Sequence, residues 1–195
     1  LSALCGVATV IAVYRLATRL FTPMTGLIAA LLMAVTPIAV MDAHYVKHDV
    51  PVTLLIVLVH VWLARIVTTD NTPNGAAVRR DIWIVGALSG LAMSTHYYAV
   101  FVVLPVAMVL LTQPQVSWMN RLGDGARAGL AATLVFFAAS PFLLPELGTA
   151  WVDITQNRAI VMDRATEGGA FASLWTYLKM LTSDRTFVVL AFGPI

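Results

Sequence analysis

Residues 41–51 read Met41-Asp42-Ala43-His44-Tyr45-Val46-Lys47-His48-Asp49-Val50-Pro51. Two carboxylates, two imidazoles, a lysine and a phenol stand within these eleven residues. On either side the chain is close to pure hydrocarbon, with no Asp, Glu, Lys or Arg over 20–41 or over 50–64. A helix needs about 20 apolar residues to cross a bilayer, and both flanks approach or reach that length. A polar knot between two membrane-length segments sets the fold class. It is an all-α, polytopic transmembrane helical bundle with its charges at helix ends. The knot is also where ligand binding or chemistry is to be sought.

Composition agrees. The chain is 59% hydrophobic and 11% charged, with mean hydropathy +0.85, whereas a soluble domain carries roughly 25% charged residues. This is the composition of an integral membrane protein. The net charge of +2 is too small to point to nucleic acid, and the basic residues read as orientation signals. A single cysteine, Cys5, rules out an intrachain disulfide and reads as a small core residue. The chain starts at Leu1 inside one apolar run and stops inside another, with no charged leader or small-residue cleavage site. These ends predict an internal fragment of a larger polytopic protein.

Working outward from the knot, 24–41 reads as a span rich in small residues, bent by Pro37 near its end. Residues 50–67 read as the next span, with Pro51 in its first turn, Asp49 at or next to its N-cap and Arg65 at its far end. Ahead of these, 1–13 reads as the second half of a span closed by Tyr14, Arg15 and Arg19. Residues 68–81 read as a polar surface linker. The uncharged stretch 82–120 is divided by Ser94, Thr95, His96, Tyr97 and Tyr98, which predicts two short helices over 82–93 and 98–111. Residues 113–127 are polar, 128–144 form another span, and 146–185 form a long polar region. Within it Phe171, Leu174, Trp175 and Leu178 recur at helical spacing, which predicts an amphipathic helix on the membrane surface. Residues 186–195 read as the start of a further transmembrane helix.

The positive-inside rule then orients the chain. Arg15 and Arg19, then Arg65, Arg79 and Arg80, then Arg121 and Arg127 fall in alternate loops. The alternation holds when 82–111 is two passes, and it sends the 42–49 knot, the His96 turn and the 146–185 loop to the extracytoplasmic side.

The residue types admit several roles. Asp49 reads as a helix N-cap and also as a ligand or metal contact. His44 and His48, four apart, share a face if helix continues through the knot, and with Asp42 or Asp49 they have the donor set for a divalent ion. Lys47 reads as a solvated loop lysine or as a point charge against a phosphate. His96, with Tyr97 and Tyr98, reads as an interfacial aromatic anchor or as a donor set for a lipid phosphate or sugar. Arg158 and Arg164 read as ordinary loop charges or as partners for an anionic head group. Mid-span His60 reads as a hydrogen-bonding residue between helices.

The runs YRLATRLF (14–21), AHYVKHDVPVTLLIVL (43–58), GALSGLAMSTHYYAVFVVLP (86–105) and AASPFLLP (138–145), in that order, carry a resemblance. The chain resembles the GT-C glycosyltransferases of the dolichyl-phosphate-mannose protein mannosyltransferase family (family 39, which includes the lipid A aminoarabinose transferases). The resemblance implies transmembrane helices 2 to 7 of a GT-C core over 1–145, then an extracytoplasmic loop with an interfacial helix over 146–185. It implies transfer of a sugar from a polyprenyl-phosphate donor to a glycan, lipid or protein acceptor. The setting would be a bacterial or archaeal plasma membrane, with the active site extracytoplasmic. It puts the catalytic base in a first extracytoplasmic loop ahead of Leu1 and leaves Asp49 as a supporting carboxylate. Substrate contacts then fall to His48, Lys47, His96, Tyr97 and Arg158, and a divalent metal, if bound, to His44, His48 and Asp49. His96 occupies a position where relatives often carry Lys.

Two other classes fit a polytopic chain: a secondary transporter and a non-catalytic membrane assembly subunit. Transporters place ionisable residues near the bilayer midplane and often repeat internally. Here His60 is the one such residue deep in a span, tyrosines aside, and no repeat is evident.

Overall fold

The computed structural model describes all residues except 46, 69–74, 114–115, 167–173, 177 and 180–195, and over 157–166 the backbone alone. Every regular element among the described residues is helical. In a bilayer this follows from the backbone, whose N–H and C=O groups find no water and must bond within the segment. The chain divides into two units, Leu1–Val35 with Ala39–Ser140, and Thr36–Ile38 with Pro141–Ile195.

In the first unit α1 spans Ser2–Leu20, α2 Pro23–Val35, α4 Asp49–Thr68, α5 Ala76–Thr95, α6 Val103–Thr112 and α7 Trp118–Ala139. The short α3, Pro37–His44, leaves α2 at a bend of 56°. The bend falls at Thr36-Pro37, because proline disfavours helical geometry in the residue before it. α2 begins at Pro23, where a missing N–H is harmless, and Thr22 Oγ1 accepts the Thr25 amide at 3.1 Å. α1, α4 and α7 are each long and apolar enough to cross a membrane, and the α2–α3 pair makes a fourth if taken as one span.

Three sequence expectations change. The first segment is no half-span: helix runs on through Tyr14, Arg15 and Arg19 to give 19 residues, and the Arg19 guanidinium reaches Thr68 Oγ1 at 2.8 Å. The supposed linker 68–81 is partly α5, whose early turns hold Arg79, Arg80 and Asp81. Asp81 is 4% exposed, with its carboxylate 2.9 Å from Arg65 on α4 and 3.2 Å from Arg80. The supposed loop 113–127 is largely α7, begun by Ser117 Oγ accepting the Asn120 amide at 3.4 Å. Arg121 on α7 donates to the carbonyls of Leu111 (2.6 Å) and Val116 (2.9 Å), and so supplies the donor that the C-terminus of α6 lacks.

Val59, Leu63 and Ile66 of α4, Ile82 and Val85 of α5, Val106 and Leu110 of α6 and Ala128 of α7 form the main apolar cluster. α5 and α7 approach closely because Gly86 and Gly90 have no side chain: a Cβ there would overlap the carbonyls of Ala128 and Ala132. A smaller cluster, Val52, Ala92 and Ala99, is essentially solvent-free and ties the start of α4 to the end of α5. Beside them an apolar groove of about 250 Å³, lined in part by Val106, Gly125 and Gly129, opens between α5, α6 and α7.

In the second unit a 3₁₀ turn, Pro141–Leu143, precedes α8, Leu147–Thr166. Half of what reads as polar loop over 146–185 is therefore helix. Of the expected amphipathic helix, Leu174, Trp175 and Leu178 are helical and exposed, while Phe171 lies outside the described residues. Residues 186–195 also lie outside them.

Candidate functional site

The polar knot is a helix–loop–helix junction. α3 ends at His44, whose Nδ1 lies 2.7 Å from the Val40 carbonyl, and α4 begins at Asp49. Helix therefore does not continue through the knot, and the four-residue spacing of His44 and His48 does not put them on one face. Lys47 Nζ lies 3.0 Å from Asp42 Oδ1 and braces the loop. That bond and the charge of Asp42 raise the Lys47 pKa, so the ammonium is charged at any physiological pH.

His48 and Asp49 stand at the start of α4, with His48 Nε2 3.7 Å from Asp49 Oδ1. The backbone carbonyl of His48 accepts the Val52 amide at 3.1 Å, as an N-cap residue does, and Asp49 occupies the first turn, where a carboxylate is favoured by the helix dipole.

His96 comes from the opposite chain direction. It terminates α5 in an extended conformation (φ −154°, ψ 131°), and its amide donates to the Ala92 carbonyl at 3.0 Å. A 3₁₀ segment, Tyr97–Val102, then leads into α6. The Tyr98 amide donates to His96 Nδ1 at 3.4 Å. α4 and α5 are antiparallel neighbours of 20 residues each, so the beginning of one meets the end of the other.

There the rings gather. His48 stacks on His96 with centroids 4.6 Å apart and planes at 27°. Tyr97 and Tyr98 lie tilted against His96 at 4.7 and 4.0 Å. Burial raises the Tyr98 pKa, and the charge of the nearby Asp49 carboxylate adds to the rise. One ligand atom from each of His48, Asp49 and His96 lies within 4.8 Å of the other two. Burial lowers the His96 pKa, the nearby His48 adds to the fall and Asp49 opposes it, so the ring is neutral at neutral pH. The buried Val52, Ala92 and Ala99 underlie this arrangement. A carboxylate, two imidazoles and a phenol on two fixed helix ends can hold a divalent cation, orient a hydroxyl or hydrogen-bond a phosphate.

The structure thus joins His48, Asp49, His96 and Tyr97, with Tyr98, read with them in the sequence, packed against the His96 ring. Lys47 borders the group and is held by Asp42. His44 stands apart from it, and His96 takes the place expected for His44 among the metal-type donors. The side chain of Arg158, on α8, lies outside the described residues. His60 bonds the Ile56 carbonyl of its own helix at 2.8 Å, rather than a neighbouring helix, because the i−4 carbonyl is the nearest acceptor.

Residues 1–144 match the family model described as dolichyl-phosphate-mannose-protein mannosyltransferase. No curated protein and no solved structure matches the chain. The match covers the whole of the first unit, with the helices that build the site, and the apolar helices make the protein an integral membrane protein. The chain belongs to the dolichyl-phosphate-mannose-protein mannosyltransferase family, membrane glycosyltransferases of the GT-C type that draw on a lipid-linked sugar.

Proposed function

We propose that this protein transfers a sugar from a polyprenyl-phosphate donor to an acceptor hydroxyl on the extracytoplasmic face, in a bacterial or archaeal plasma membrane. The observation that carries the reading is the meeting of Asp49, at the start of α4, with His48, His96 and Tyr98 at one helix-end junction. Arg65 lies 16 residues along α4 from Asp49, about 24 Å at the helical rise. Arg65, Arg79 and Arg80 gather at that other end, as the positive-inside rule expects of a cytoplasmic face. A lipid-linked donor presents its phosphosugar at the membrane surface, which suits a site at helix ends.

In the transfer the acceptor oxygen bonds to the anomeric carbon as the bond from that carbon to the phosphate oxygen breaks. The bonding pair leaves with the polyprenyl phosphate, and the hydroxyl proton passes to a carboxylate. Asp49 serves as the supporting carboxylate, oriented by Tyr98. Lys47 and His48 face the phosphate, and His96 and Tyr97 bound the sugar. Asp49→Asn in the full chain should lower transfer from a polyprenyl-phosphate sugar by about a hundredfold or more. Unchanged transfer, with the protein folded in the membrane, would remove Asp49 from the site.

A further inference from the structure

We propose that His48, Asp49 and His96 bind one divalent first-row metal ion, zinc above all, across the junction of α4 and α5. The three donor atoms lie within 4.8 Å of one another. A tetrahedral zinc with ligands at about 2.1 Å sets them roughly 3.4 Å apart, so capture needs a closure of at most about 1.4 Å. His48 is the exposed member and is free to supply most of it, while Asp49 and His96 are half-buried on fixed helix ends. Two imidazoles and one carboxylate suit zinc better than magnesium or calcium, which take all-oxygen shells.

The surroundings fit as well. Tyr98 packs against the His96 ring at 4.0 Å and its phenol is near Asp49, where an outer partner of the ligands is expected. Two contacts must yield: the His48–His96 stack opens so that both rings can aim a nitrogen at the ion, and ligation through His96 Nε2 moves that ring's proton to Nδ1 and ends the long 3.4 Å bond from the Tyr98 amide. His44 takes no part, since its Nδ1 is held at 2.7 Å from the Val40 carbonyl and α3 stops there. Three protein ligands leave a coordination position open. Resting on the transfer reading, that position takes an oxygen of the donor's phosphate, whose charge grows as the sugar departs.

The test uses the full chain, purified, stripped with chelator and titrated with Co²⁺. One equivalent should bind, with the visible d–d absorption of a four- or five-coordinate centre, and Zn²⁺ should displace it. His48→Ala and His96→Gln should each weaken binding at least about tenfold, and His44→Ala should leave it unchanged. His48 is exposed, so its variant keeps the packing and yields an answer even if the His96 variant does not fold. No saturable binding below about 1 mM, or equal binding in the His48 variant, overturns the site. Transfer that persists without metal binding overturns the ion and leaves the transferase reading intact. Metal bound to a folded protein that transfers no sugar upholds the ion and removes its proposed occupant.

Discussion

Arg65 and Arg80 both reach the Asp81 carboxylate, but only Arg65 comes from another helix. The Arg65 guanidinium also lies 4.9 Å from the centroid of the Trp62 ring, so its cation is held on two sides. Asp81→Ala removes a buried carboxylate that ties α5 to Arg65 of α4 and should cost about 1–3 kcal/mol of stability. Arg80→Ala removes a partner whose side chain is 59% exposed and should cost less than about 1 kcal/mol. Thermal unfolding of the two variants in detergent would read the difference, and equal midpoints would deny Asp81 its structural role. This ion pair is invisible in local composition, because Asp81 sits in a polar stretch that reads as a linker and its partner lies 16 residues earlier. Tyr98 stands next to Tyr97 in sequence, and the 3₁₀ winding after His96 leaves it the less exposed of the two phenols, at 36% against 66%.

At the scale of elements, hydropathy locates α2, α4 and α7 and the break at His96, because apolar length and prolines are one-dimensional signals. It misses the ends of α1, α5 and α7, where arginines and two aspartates, Asp81 and Asp124, sit inside helices. A long cationic side chain can lie along its own helix and reach a polar partner, so charge does not mark where helix stops. The α5–α7 contact also depends on what is absent. Gly86→Ala or Gly90→Ala would drive a methyl group into backbone atoms of α7 and should cost about 1–3 kcal/mol by overpacking. Gly125→Ala, with nothing within 4 Å of the new carbon, should be tolerated. A shared unfolding midpoint for the Gly86 and Gly125 variants would count against the close approach.

For the whole molecule, charge and chemistry are segregated along the helix axes. The candidate site gathers where α4 begins and α5 ends, and the Arg65–Asp81–Arg80 group gathers where α4 ends and α5 begins. In sealed cells a membrane-impermeant maleimide should label Lys47→Cys from outside and fail to label Arg79→Cys, both in a cysteine-free background. The reverse pattern would invert the proposed orientation. The candidate site was half legible in sequence: the 41–51 knot and the His96 turn stand out by composition. Their union required knowing that α4 and α5 are matched in length and run antiparallel, which no local pattern states.

The 3₁₀ stretch between α5 and α6 has a consequence for thickness. At about 2.0 Å per residue, against about 1.5 Å for α-helix, the six residues of Tyr97–Val102 lengthen the apolar run they open. With the ten residues of α6 the run extends about 27 Å, where a uniform α-helix of that length would reach about 24 Å. The tighter coil thus carries a short apolar stretch most of the way across a hydrocarbon layer about 30 Å thick. The same turn sets the pose of His96 and Tyr98, so the depth of the surrounding lipid bears on the geometry of the site through hydrophobic mismatch.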